Sequence, residues 1–248
     1  HPQRSLPFSS GDLPSRQVSE RRMLQGLADR MTEQTQVRVE VLDGIPLDDP
    51  RLLQVPFVLL TATQPFVVTP AEAANLGRYL TSGGFLYVEN VAPAQVVGNG
   101  YTSELLALRE LVRSALAAVG CREGKDWSLT RLAMDHPLYH CYYDLGSLPM
   151  GFYDWPYLYT GAREHYSPDY LEGIQVGDRL AGVYSQKDYA DFWAGQAELI
   201  RERDQASNFQ GRFNLGGEEL KPYDLGINVL TFALTQEGSL ARRLVAAE

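Results

Sequence analysis

The chain has 248 residues, 44% of them hydrophobic, and a formal net charge of −9. That composition suits one large globular domain and excludes a disordered or fibrous chain. The acidic balance and the absence of a basic run exclude a surface for nucleic-acid phosphates, and no apolar run approaches the ~18 residues of a membrane-spanning helix.

Residues 1–14 carry Pro2, Pro7 and Pro14 among Ser and Gly and read as a flexible arm. The remainder, 15–248, reads as a single α/β domain. Ser15 offers an N-cap for a helix of about 15 residues, with Val18, Met23, Leu24, Leu27 and Met31 on its apolar face. Val37, Val39 and Val41 alternate with polar residues over 36–42, a strand pattern that Asp43-Gly44 ends. Phe57 to Thr61 is a continuous apolar run after Pro56, suited to a strand buried on both faces.

Thr69-Pro70-Ala71-Glu72 is a helix start: a Thr cap, Pro in the first turn and an acidic residue beside the helix dipole. Leu76, Tyr79 and Leu80 follow at helical spacing. Gly83-Gly84 stops the helix and Phe85-Leu-Tyr-Val88 is the next buried strand. Glu89 and Asn90 stand at its carboxyl end, where ligands sit in doubly wound folds. A further helix is expected from about 103 to 119, ended by Gly120.

Residues 127–175 are dense in aromatics, Pro and Gly. They read as a long packed insertion, about 133–175, of the kind that often carries function. Regular structure returns with Gly177-Asp178, a strand over 179–184 ending at Ser185-Gln-Lys-Asp188, and a helix holding Phe192 and Trp193. Residues 203–224 are polar and Gly-rich. Residues 226–245 read as one long or broken helix with Ile227, Leu230, Ala233 and Leu234 on one face. The alternation of strands and helices predicts a mostly parallel sheet covered on both faces, a three-layer sandwich.

Several segments together resemble a bacterial family known as domain of unknown function 4159. They are Pro56-Phe-Val-Leu-Leu60, Leu76-Gly-Arg-Tyr-Leu-Thr-Ser-Gly-Gly-Phe-Leu86, Asp135-His-Pro-Leu-Tyr139, Leu171-Glu-Gly-Ile174, Gly177-Asp-Arg-Leu180 and Tyr184-Ser-Gln-Lys-Asp188. The resemblance implies a flavodoxin-like fold of the class I glutamine amidotransferase-like superfamily and no established reaction. It also implies exported or membrane-attached bacterial proteins, often accompanied by ATPase and von Willebrand-type partners. With a chain that opens on His1 rather than Met, this leads to an expected place in the periplasm or cell envelope after removal of a leader; a cytoplasmic place stays open. The chain departs from the family pattern at Thr61-Ala-Thr-Gln64, where a Gly-His-Gly-like turn is usual. It departs again at Glu89-Asn90, where two acidic residues are usual, so no metal role is carried over.

The superfamily's glutaminases need a Cys on a strand-to-helix elbow beside an activating His. Cys121 follows a helix and Cys141 lies in the aromatic insertion, so glutamine hydrolysis is not expected. Both read as free thiols, with a disulfide open in an exported protein. Glu89 and Asn90 are candidates for a polar ligand, or else Asn90 starts a turn and Glu89 caps a neighbouring helix. Asp135, His136, His140 and Asp144 gather proton-transfer and metal-ligand chemistry within ten residues, or else Asp135 and His136 fix a loop. Tyr153, Trp155, Tyr157, Tyr159 and Arg163 suit an aromatic platform for sugars or peptides, or else a self-buried insertion. Ser185 and Asp188 end a strand and are expected at the same sheet edge as Glu89, unless Asp188 is an N-cap.

No phosphate loop is present, so neither ATP nor NAD is expected, and no cofactor or metal is assigned. The leading expectation is a non-catalytic module that binds a protein or polysaccharide partner. The alternative is a hydrolase, carbohydrate-directed, drawing on Glu89, His136 or Asp188.

Overall fold

A computed structural model of the protein describes residues 20–42, 44–62, 66–90, 103–151, 168–195 and 220–247. Among these lie six α-helices and five strands: α1 (Glu20–Thr35), β1 (Phe57–Thr61), α2 (Pro70–Thr81), β2 (Phe85–Glu89), α3 (Ser103–Ala118), β3 (Trp127–Arg131), β4 (Glu172–Val176), β5 (Arg179–Ser185), α4 (Tyr189–Trp193), α5 (Lys221–Thr235) and α6 (Leu240–Ala246). The strands form one open sheet in the order β1-β2-β5-β4-β3.

β1, β2 and β5 run parallel, whereas β4 runs against both β5 and β3. The mostly parallel sheet predicted from the alternation of elements is therefore a mixed one. The physical reason is the turn at Gly177-Asp178. Gly177 takes φ +56°, a left-handed conformation that a two-residue hairpin needs, and a hairpin joins antiparallel neighbours.

Helices cover both faces of the sheet. The period of two divides β2 between them: Phe85 and Tyr87 join Leu27, Trp193 and Ile227 of α1, α4 and α5, while Leu86 and Val88 join Leu76, Leu80, Leu111 and Leu116 of α2 and α3. All four β2 residues are wholly buried. Each such side chain contributes roughly 1.5–3 kcal/mol by leaving water.

α2 begins as its sequence requires. Thr69 accepts from the amide of Glu72, and the Glu72 carboxylate accepts from the amide of Thr69. It ends before Gly83, at φ +100°. The expected C-terminal helix is broken into α5 and α6, and it starts earlier, at Lys221.

The strand expected over 36–42 does not form. Gln36 leaves α1 at φ +63°, and the residues that follow take no regular secondary structure and join no ladder among the described residues. Alternating Val supplies the local preference for a strand, yet a strand exists only with a partner, and among the described residues the sheet ends at β1.

Candidate functional site

The carboxyl ends of the two central parallel strands, β2 and β5, bring four predicted residues together. Strand register sets Glu89 beside Ser185 and beside Thr61 of β1. The amide of Asn90 donates to the carbonyl of Ser185 at 3.1 Å. Glu89, Asn90, Ser185 and Asp188 are all buried.

Glu89 is the centre of this group. Counting by two along β2 puts its side chain on the same face as Tyr87, toward α4. The Tyr87 hydroxyl donates to Oε2 at 2.9 Å. The amide of Asp188 donates to Oε1 at 3.1 Å and that of Tyr189 to Oε2 at 3.0 Å. The Ser185 hydroxyl completes the shell. Glu89 thus does for α4 what an N-cap side chain does: it accepts the first amides of the helix, which have no partner within it.

Asp188 holds the N-cap position itself but makes no side-chain cap bond; its backbone turns left-handed at φ 57° and ψ 50°, which Asp tolerates better than most residues. The chain therefore passes from β5 into α4 through a sharp turn whose amides face a carboxylate from the adjacent strand. Gly151 packs against the same turn, so closely that a Cβ there would lie 1.9 Å from the Lys187 carbonyl. The Tyr189 hydroxyl donates to the Pro149 carbonyl at 2.7 Å.

Burial pushes the Glu89 carboxyl up to about 7, against the pull of its four donors. The same burial lifts the Tyr87 hydroxyl far above its ordinary range, with the neighbouring Glu89 charge adding to it. A carboxyl near neutrality is a proton-transfer group in principle. Glu89, however, is fully enclosed, with both oxygens engaged inside the protein.

The Asp135–His136 pair lies elsewhere. His136 caps the short 3-10 turn Pro137–Tyr139, where Nδ1 accepts from the amide of Leu138 at 3.1 Å. Its ring packs on Phe232, which in turn meets Phe85 at the amino end of β2. Glu89 stands four residues farther along that strand, about 13 Å away at strand rise. Partial burial holds the His136 imidazole below its ordinary range.

His140 is separate again: Nδ1 meets Asp144 at 2.5 Å and Nε2 meets the Met134 carbonyl at 2.6 Å. Both partners are acceptors, so the site favours the imidazolium form, and the backbone contact to Met134 and then Asp144 raise its pKa. Among the described residues, no three His, Cys, Asp or Glu stand close enough to ligate one metal ion. Tyr153, Trp155, Tyr157, Tyr159 and Arg163 lie outside the described residues.

Neither cysteine lies on a strand-to-helix elbow. Both are free thiols. The Cys141 sulfur contacts the Asn228 carbonyl at 3.1 Å, and burial pushes its thiol up to about 11, away from the thiolate a nucleophile needs. Sequence reasoning did not single out Tyr87 and Tyr189; the two-residue spacing from Tyr87 to Glu89 was the available signal for the first. It also missed Asn228, buried in α5, whose side chain binds the backbone of Tyr142 and Tyr143 and so fixes one end of the aromatic-rich stretch.

No helix among the described residues is long and apolar enough to cross a membrane. No curated protein matches the chain. The family model "Domain of unknown function (DUF4159)" matches residues 12–234, nearly the whole chain, and the protein belongs to that family.

Proposed function

We propose that this protein is a non-catalytic module of the bacterial cell envelope that binds a protein or polysaccharide partner on a flavodoxin-like, amidotransferase-related scaffold. Three parallel strands with helices on both faces support the scaffold. One observation carries the functional reading: the carboxylate where an elbow nucleophile would be expected is wholly buried and engaged by four internal donors. Such a group holds β2, β5 and α4 together. It has no atom free to meet a substrate.

The second reading is a hydrolase, and it draws on the Glu89 carboxyl being raised to about 7. The His136 candidate lends it no support, because it serves as a turn cap at the other end of β2.

The test is binding to isolated cell-wall polysaccharide and to envelope protein fractions, comparing the native chain with a Trp155→Ala, Tyr157→Ala double variant. Saturable binding without product, lost in the variant at unchanged Tm, is the expected result. Release of product from any such polymer, abolished by Glu89→Gln, overturns the proposal in favour of the hydrolase.

A further inference from the structure

Two arginines converge where α2 ends, at the edge of the sheet opposite Glu89. Arg179, the first residue of β5, donates through Nη1 to the Gly84 carbonyl at 3.0 Å and through Nη2 to the Leu80 carbonyl. Arg243 of α6 donates through Nη1 to the Ser82 carbonyl at 3.1 Å. The three carbonyls belong to one turn, 80–84, so both guanidiniums sit on it. That turn is fixed in place. Gly83 takes φ +100°, and a Cβ there would lie 2.5 Å from the Gly238 carbonyl, while the Leu240 amide donates to the Gly83 carbonyl at 2.8 Å. α6 is thereby docked on the end of α2 and brings Arg243 with it.

Neither arginine meets a carboxylate among the described residues, whereas Arg30, Arg51, Arg109, Arg113, Arg122 and Arg131 each do. Asp178 and Glu237 are close to the pair in the chain, yet neither forms an ion pair with it. Arg179 is half-buried; burial lowers its pKa, and repulsion by the Arg243 charge lowers it further. Two like charges held together without an opposing one cost stability, most of all where one is partly withdrawn from water. Capping the last carbonyls of α2 accounts for one such cation. It does not account for a second that repels the first. In a chain of net charge −9 the turn is a local excess of positive charge. Arg243 is exposed and makes one side-chain hydrogen bond among the described residues, so most of its N–H donors remain open to an incoming group.

We propose that Arg179 and Arg243 form a binding site for a phosphate group, held between the two guanidiniums. Planar guanidinium edges match phosphate oxygens, and two positive charges match a doubly charged anion. Two arginines suit one phosphate, not the run of phosphates along a nucleic acid. The site shares no residue with the Glu89 cluster and stands whether or not that cluster is purely structural.

Titration of the full chain with inorganic phosphate, followed by amide NMR near neutral pH at an ionic strength held constant with chloride, tests this. Saturable shifts should centre on Ser82, Gly83, Gly84 and Leu240, with a dissociation constant of about 1–10 mM. Arg243→Ala should weaken binding about tenfold. Arg243 is exposed, so the fold survives the change, as an otherwise unaltered amide spectrum will check. Arg21 follows Glu20, which meets Thr61 beside Glu89 at the far edge of the sheet. Arg21→Ala should therefore leave the constant within about twofold of native. Acetate, with a single charge, should bind at least about fivefold more weakly than phosphate. A titration without saturable shifts at these amides overturns the proposal, as does phosphate binding that Arg243→Ala leaves unchanged. Equal weakening by Arg21→Ala overturns it too, because the anion would then be drawn diffusely to surface cations. Acetate bound as tightly as phosphate overturns the assignment to a phosphate group.

Discussion

The pH dependence of stability around Glu89 follows from a contest between burial and hydrogen bonding. Removing a carboxylate from water favours its neutral form, whereas four donors favour its charged form. In this site burial wins: the folded carboxyl titrates at about 7, against an ordinary value of 4.5. A group whose pKa is raised on folding holds its proton more tightly in the folded state. Its stabilising contribution is therefore complete below pH 4.5 and is lost as the pH rises through 7. The difference between the two values corresponds to about 3 kcal/mol. Urea unfolding of the native chain and of Glu89→Gln, measured from pH 4.5 to 8, isolates it, because other titrating groups cancel in the comparison. The native advantage over Glu89→Gln should shrink by about 3 kcal/mol across that range. An advantage that stays constant, or grows with pH, would mean that the four donors hold the carboxylate charged, and the reasoning would fail.

Three further outcomes follow from the geometry. Thr69→Ala removes half of the capping box of α2 and should cost about 1 kcal/mol in urea unfolding, with Glu72→Gln costing less. Gly26→Ala should destabilise by about 3 kcal/mol or more, because a Cβ would lie 1.7 Å from the Trp193 carbonyl and force α1 away from α4; a loss below about 1 kcal/mol would show that the two helices do not meet so closely. In an NMR titration on falling pH, His140 should protonate before His136, since the first is raised by Met134 and Asp144 and the second is lowered by burial. The His140 contribution is present below its ordinary 6.5 and fades as pH rises through its raised value; Asp144→Ala should bring its titration back toward 6.5.

Local chemistry made much of this fold legible. The cap at Thr69, the stop at Gly83 and the apolar runs of β1 and β2 are each decided within a few residues, and the structure forms them where the sequence places them. The meeting of Glu89 and Asn90 with Ser185 and Asp188 also follows from strand ends alone, given that β2 and β5 are neighbours. The structure gives Glu89 the capping role that the sequence left open beside ligand binding.

What stayed hidden was decided by partners distant in the chain. β3 is a half-exposed edge strand, Trp-Ser-Leu-Thr-Arg, without an apolar run to announce it. β4 contains Gly173, where a side chain would collide with Leu132 and Leu180, so the packing that makes it a strand removes its strand signature. Missing both left the reversal of β4 unseen and the sheet read as mostly parallel. The segment 36–42 shows the converse, a strand pattern without a partner strand. His136 and Glu89 both carry suitable chemistry, and only the tertiary fold sets them at opposite ends of β2.

The central claim is that the Glu89 site holds the fold together and performs no reaction. Product formation from a panel of glycoside, amide and ester substrates, compared between the native chain and Glu89→Gln at matched concentration, tests it most directly. The account predicts no product from either protein and a lower Tm for the variant below pH 4.5. A product made by the native chain and lost in Glu89→Gln, with the Tm unchanged, would contradict it.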